Sequence, residues 1–152
     1  PSRGLGDVYK RQKGKLGCIL LAITLTLIGT WNYVGARDDN VEYAFKLQAN
    51  YKNSYTDIRY RQTKKADNPW KVNMTYSAEG KGTKAVYWLN VPGLFCTSER
   101  VSNTHTVKQG SGPHYYKAWK GAAQQYVSMG AENNNNTSKT YNVSGYWDEE
   151  TW

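Results

Sequence analysis

The sequence predicts an all-β protein: a single antiparallel β-sandwich of about eight short strands, preceded by a helical signal peptide. Three observations carry that expectation. Apolar and polar residues alternate with period two again and again beyond residue 40. Clusters of Gly, Pro, Asn and Asp punctuate the chain at intervals of roughly ten residues. No stretch of the domain shows a convincing helical stripe.

Residues 1–12, Pro1-Ser-Arg-Gly-Leu-Gly-Asp-Val-Tyr-Lys-Arg-Gln12, have no apolar period and sit upstream of a signal n-region, so they read as an adapter- or vector-derived scar. Residues 13–36 read as a secretory signal peptide. Lys13 and Lys15 precede an apolar run from Leu16 to Ile28, and Val34-Gly35-Ala36 supplies a small-residue exit. The run is well short of the roughly 20 residues that a membrane helix needs. Extending it through Thr30, Trp31 and Tyr33 to Val34 leaves a retained anchor as the alternative. Cys18 precedes the end of the apolar stretch, which does not suit a lipoprotein acceptor. The domain proper is residues 37–152, expected to be secreted, extracellular or associated with the cell wall, with no membrane contact after cleavage.

The strands follow in order. Val41, Tyr43, Phe45, Leu47 and Ala49 alternate with Glu42, Ala44, Lys46 and Gln48, opening the domain with a half-buried strand. Ile58 and Tyr60 mark a weaker one. Trp70, Val72, Met74, Tyr76 and Ala78 against Lys71, Asn73, Thr75 and Ser77 form the clearest. Residues 84–91 are apolar in both phases, as in a central strand; Val101 and Val107 flank Ser102, Thr104 and Thr106; Val127, Met129 and Ala131 alternate with Tyr126, Ser128 and Gly130. Tyr141, Val143 and Trp147 close the domain. Turn chemistry falls between these runs at Asp67-Asn68-Pro69, Glu79-Gly80-Lys81-Gly82, Pro92-Gly93, Gln109 to Pro113 and Asn133 to Asn136. Residues 118–125 could form a short helical connector.

The charge pattern argues against nucleic acid. Five of the basic residues and one acid lie in the first 36 positions, so the net charge of +8 falls to +4 for the domain, without a continuous basic stripe. Only Arg59, Arg61, Lys64 and Lys65 cluster, and Asp148, Glu149 and Glu150 make the C-terminal end acidic. Cys96 is the lone cysteine of the domain, so stability must come from packing; a buried thiol is the expected state, with an intermolecular disulfide or a reactive thiol the alternatives.

Aromatic residues are the most unusual feature: the domain keeps eleven Tyr, five Trp and two Phe, while Leu and Ile are scarce. Most of them should fill a thin two-sheet core, Tyr burying its ring and keeping its hydroxyl wet. Trp88, Tyr115, Trp119 and Tyr146 are out of phase with their inward-facing neighbours. If they faced out together on one sheet they would form a flat platform for sugar rings, which makes these four the candidate ligand-binding residues. The alternative places Val86 and Trp88 in the core of a central strand.

No catalytic or metal-binding residue, and no cofactor, is indicated. His105 shares its phase with Val101 and Val107, as a hydrogen-bonded core or edge histidine would, and His114 follows a Gly-Ser-Gly-Pro turn. Ser111 has glycines at the wrong spacing for a nucleophile elbow. Glu132 beside Asn133 to Asn136, with the distant Asp148 to Glu150, offers hard oxygens but lacks the alternating Asp pattern of a calcium loop.

Several stretches carry a family resemblance: Tyr60-Arg-Gln-Thr63, Asn68-Pro-Trp-Lys-Val-Asn73 with Thr75-Tyr-Ser77, Val107-Lys-Gln-Gly-Ser-Gly112 with His114-Tyr-Tyr116, Ala131-Glu-Asn-Asn-Asn135, and Val143-Ser-Gly-Tyr-Trp-Asp-Glu-Glu-Thr151. Together they resemble small exported β-rich proteins of Bacillus-type Firmicutes with no assigned function. The resemblance implies a signal peptide, one β-rich domain and a Gram-positive origin, and carries over no catalytic residue. Pro92 to Cys96 departs from that pattern. Asn103-Thr-His-Thr-Val-Lys108 and the Gly-Ser turn after it are similar to lactococcin-like bacteriocins. The expectation that follows is a non-enzymatic binding protein of the Gram-positive cell surface, with a wall glycan or surface partner as ligand. A bacteriocin-like antibacterial protein is the alternative, and an uncharacterised hydrolase the third reading.

Overall fold

The computed structural model describes residues 39–93 and 98–151. The chain divides into residues 1–34 and 35–152, and only the second unit contains described residues. Residues 1–12 and 13–36, expected to be a scar and a signal peptide, and Cys96 lie outside them.

Among the described residues ten strands form two antiparallel sheets: β1 (Val41–Leu47), β2 (Ser54–Tyr55), β3 (Arg59–Tyr60), β4 (Trp70–Ser77), β5 (Lys84–Pro92), β6 (Ser98–Arg100), β7 (His105–Lys108), β8 (His114–Tyr116), β9 (Tyr126–Asn133) and β10 (Tyr141–Asp148). A 3-10 turn, Lys120–Ala122, is what becomes of the expected helical connector. The first sheet runs β1-β10-β4-β8. The second is built on the β9·β5 pair, with β2 and β3 both bound to the far edge of β9 and β6 and β7 both bound to the far edge of β5. This is the sandwich that the alternation predicts, with four of its strands only two or three residues long.

The core lies between the sheets. Tyr43, Leu47, Trp70, Val72, Met74, Val143 and Trp147 come from the first sheet and Ala85, Tyr87, Leu89, Val107, Val127, Met129 and Ala131 from the second. Tyrosine does part of the work of leucine here. Tyr43 donates to the Tyr87 hydroxyl at 3.0 Å across the core, and Tyr141 donates to the Lys84 carbonyl at 3.2 Å. Each ring is buried while its polar tip finds a partner in the opposite sheet, so the hydroxyl's desolvation is met by a bond. Burial raises the Tyr43 and Tyr87 hydroxyls above their ordinary pKa, which keeps both neutral donors.

Three strand expectations change. β1 ends at Leu47, because Asn50 and Tyr51 both take left-handed φ of 56° and turn the chain. In β4 the inward phase holds from Trp70 to Met74 and then breaks. Met74 pairs with Gly145 and Tyr76 with Ser144, so Thr75 is an extra residue and Tyr76, read as inward, is 54% exposed while Ser77 is buried. Gly145 permits the bulge: a Cβ there would fall on the Asn73 carbonyl oxygen and 2.9 Å from its carbon. Val101 lies in no strand, although it is buried; its N–H bonds the Leu89 carbonyl at 2.9 Å between β6 and β7.

A buried ionic cluster fastens the acidic end of the chain to the basic stretch. Arg61 is fully buried, donating to the Glu149 carbonyl, to the Asn68 carbonyl at 2.5 Å and to the Lys65 carbonyl at 3.2 Å. Arg59 pairs with the Glu149 carboxylate and, at 3.6 Å, with Asp39. The Glu150 carboxylate accepts the backbone N–H groups of Gln62 at 2.9 Å and Thr63 at 2.7 Å. Lys71 and Asp148, neighbours on β4 and β10, stand 3.9 Å apart and are both buried. Such charges are tolerated inside because each meets an opposite charge or a backbone dipole. Burial lowers the pKa of Arg61 against the pull of Glu150, Glu149 and Asp148.

Two outcomes are expected. Gly145→Ala should lower stability by about 3 kcal/mol, by forcing backbone apart at the bulge, whereas Ser144→Ala should change it by less than about 1 kcal/mol; urea denaturation measures both. Desolvation, with help from Glu149, raises the Asp148 carboxyl to about 7. The folded state therefore holds this proton more tightly than the unfolded chain does. Its contribution is complete below about pH 4 and is lost as pH rises to about 7. Asp148→Asn should flatten that part of the melting-temperature profile, and an unchanged slope between pH 4 and 7 would contradict the assignment.

Candidate functional site

The four aromatics singled out from the sequence do not share a face. Tyr115 on β8 and Tyr146 on β10 belong to the first sheet; Tyr115 is 50% exposed, and the Tyr146 hydroxyl accepts a 2.8 Å bond from the Asn73 amide. Trp119 is exposed beside the 3-10 turn. Trp88 sits on β5 of the second sheet and is 5% exposed. The single platform is thus replaced by separate rings, because the chain between residues 88 and 115 crosses from one sheet to the other.

Trp88 is therefore buried and not exposed as a platform would require, but its phase turns it away from the central core. Tyr87 and Leu89 enter the core, so Trp88 points away from it, onto the outer face of the second sheet. What covers it is Tyr55. Gly130 on β9 lies opposite Tyr55 on β2 and opposite Trp88 on β5, so one residue without a side chain separates two aromatic ones. A Cβ on Gly130 would come 2.6 Å from Trp88 Nε1 and 2.7 Å from Cζ2: the indole lies across the glycine. The Tyr55 and Trp88 rings then meet edge to face, centroids 6.3 Å apart at 88°.

Around this pair the face hollows into a depression of about 280 Å³, bounded by Asn53, Tyr55, Trp88, Asn90, Ser98, Arg100, Thr104 and Glu132. Tyr55 is 42% exposed, and its hydroxyl is fixed by a 3.0 Å bond from the Asn53 amide. Burial raises the Glu132 carboxyl above its ordinary value, and the nearby Arg100 draws it back. The depression therefore has an aromatic side and a rim of amides, hydroxyls, one cation and one carboxylate. Such a surface binds by stacking and hydrogen bonding, and it contains no nucleophile held by a base. The sequence reading missed Tyr55; its signal was Gly130, an isolated glycine inside a strand pattern.

The remaining candidates separate. His105 stacks on Tyr116 at 3.6 Å and packs against Trp70, with Nε2 buried and without a hydrogen-bond partner among the described residues. Ring contacts with Tyr116 and Trp70 hold it in place. Desolvation lowers its pKa. Ser111 Oγ lies 2.7 Å from His114 Nε2, yet it also bonds the Lys108 carbonyl at 2.6 Å, as a turn hydroxyl does. Among the described residues no group of three or more His, Cys, Asp or Glu is placed to hold a metal. Glu132 stands apart from Asp148, Glu149 and Glu150, which are committed to the ionic cluster, and the Asn133 side chain accepts the Asn135 N–H at 3.0 Å in a hairpin tip.

A family model described as "Protein of unknown function (DUF2712)" matches residues 31–151. A solved structure titled "Crystal structure of PirA" is similar with a TM-score of 0.43 and 9% identity, over 76% of this chain and 99% of that one. No curated protein matches the chain.

Replacing Gly130 by alanine should expel the Trp88 indole from its seat across the strand. The expected readouts are a red shift of tryptophan emission and a loss of about 2 kcal/mol in stability; unaltered emission would show that the ring does not rest on Gly130.

Proposed function

The chain belongs to the DUF2712 family, and on that premise we propose that it is a non-enzymatic glycan-binding protein of the Gram-positive cell surface. One observation carries the reading: the Tyr55 ring, 42% exposed and backed by the buried Trp88 on the outer face of the second sheet, set in a rim of Asn53, Asn90, Arg100, Thr104 and Glu132. Sugar rings present C–H faces that pack against aromatic side chains and hydroxyls that suit amide and charged partners. The rim supplies donors and acceptors in the mixture that a polyhydroxylated ligand needs.

Apart from Asn53 and Thr104 the site sits on strands, and its rings are fixed by neighbouring strands, so little ordering entropy opposes binding. Export through the leader of residues 13–36 would bring this face to the wall, where the ligand is abundant. The modest charge of the domain suits such a role without making it a polyanion binder.

Co-sedimentation with isolated Gram-positive walls, before and after removal of anionic polymers and at two salt concentrations, tests the reading. Retention should survive both treatments, and Tyr55→Ala should weaken it about tenfold while leaving the melting temperature nearly unchanged, since the ring is 42% exposed. Retention abolished by salt or stripping would reduce the interaction to simple charge attraction.

A further inference from the structure

A second aromatic pair lies on the same face of the same strand. Tyr60 on β3 is paired in register with Tyr126 on β9; their ring centroids are 5.0 Å apart, and the side chains are 38% and 51% exposed. Val127, Met129 and Ala131 enter the core, so Tyr126, Ser128 and Gly130 share the outer face. Gly130 lies four positions beyond Tyr126, placing the two pairs about 14 Å apart along β9. Between them β9 carries only Ser128, opposite Asn90 on β5. No bulky side chain of β9 stands between the two pairs.

We propose that Tyr60 and Tyr126 form a second saccharide subsite, in line with the Tyr55–Trp88 subsite. The ligand is then a linear glycan strand lying along β9 and not a single terminal sugar. This rests on the glycan-binding reading and makes it more specific. The spacing exceeds what one pyranose can bridge, so both pairs are filled together only by an oligosaccharide. Between them Ser128 and Asn90 are each 3% exposed, so the two aromatic pairs supply the contacts and the middle of the chain passes over β9. Neither exposed tyrosine belongs to the core, and Tyr60 extends from a segment already fixed by Arg59 and Arg61. That anchorage holds its ring in place before any ligand arrives.

The test is titration of the full chain with a size-fractionated series of glycan strands released from peptidoglycan by an amidase, from disaccharide to octasaccharide, followed by calorimetry. Affinity should rise with length until both pairs are covered. Tyr126→Ala should remove that rise, costing about tenfold for the octasaccharide and less than about twofold for the disaccharide. Tyr60→Ala should act in the same way, and Tyr55→Ala should weaken every length. Equal affinity at all lengths, or a rise that Tyr126→Ala leaves intact, would overturn the second subsite and leave the first standing. No binding at any length would overturn the glycan reading, and this inference with it.

Discussion

The clasp between Arg59–Thr63 and Asp148–Glu150 is the constraint on which the rest depends. It joins residues almost ninety positions apart and ties β3 of the second sheet to the residues that end and follow β10 of the first. Through Arg59 and Arg61 it fixes β3, hence the edge of β9; through Asp148 and Lys71 it continues into the β10·β4 pair. Removing one partner would leave an uncompensated charge inside the protein, which costs far more than the pair contributes. The clasp thus specifies an arrangement more than it adds stability.

The core follows a related economy. With Leu and Ile scarce, the sandwich buries Trp70, Trp147, Tyr43, Tyr87 and Tyr141, and the tyrosines stitch one sheet to the other through their hydroxyls. A core of aliphatic side chains could slip by small rotamer changes. Directional bonds between Tyr43 and Tyr87 fix which residues face each other.

Long strands were legible and short ones were not. β1, β4, β9 and β10 each span seven or eight residues, enough for period two to declare itself. β2, β6 and β8 have two or three residues, too few to show a period, and are defined by the neighbour they pair with, while β3, equally short, left only the weak mark of Ile58 and Tyr60. The bulge at Thr75 escaped because alternation in β4 looks unbroken through Tyr76; only the approach of Asn73 to Gly145, over seventy residues away, reveals it. Charges at Arg59, Arg61 and Asp148 to Glu150 were visible as two clusters of opposite sign, but nothing local said that they meet. For the candidate site, the outward phase of Trp88 was readable, whereas its partner Tyr55 was not, since the contact is made across a third strand.

The pairing of β1 with β10 gives the domain an all-or-nothing character during synthesis. A nascent chain that lacks residues 141–151 has no partner for β1, no seat for Arg61 and no central strand in its first sheet. It stays unfolded until nearly all of the domain has been made, as expected of topologies dominated by distant contacts.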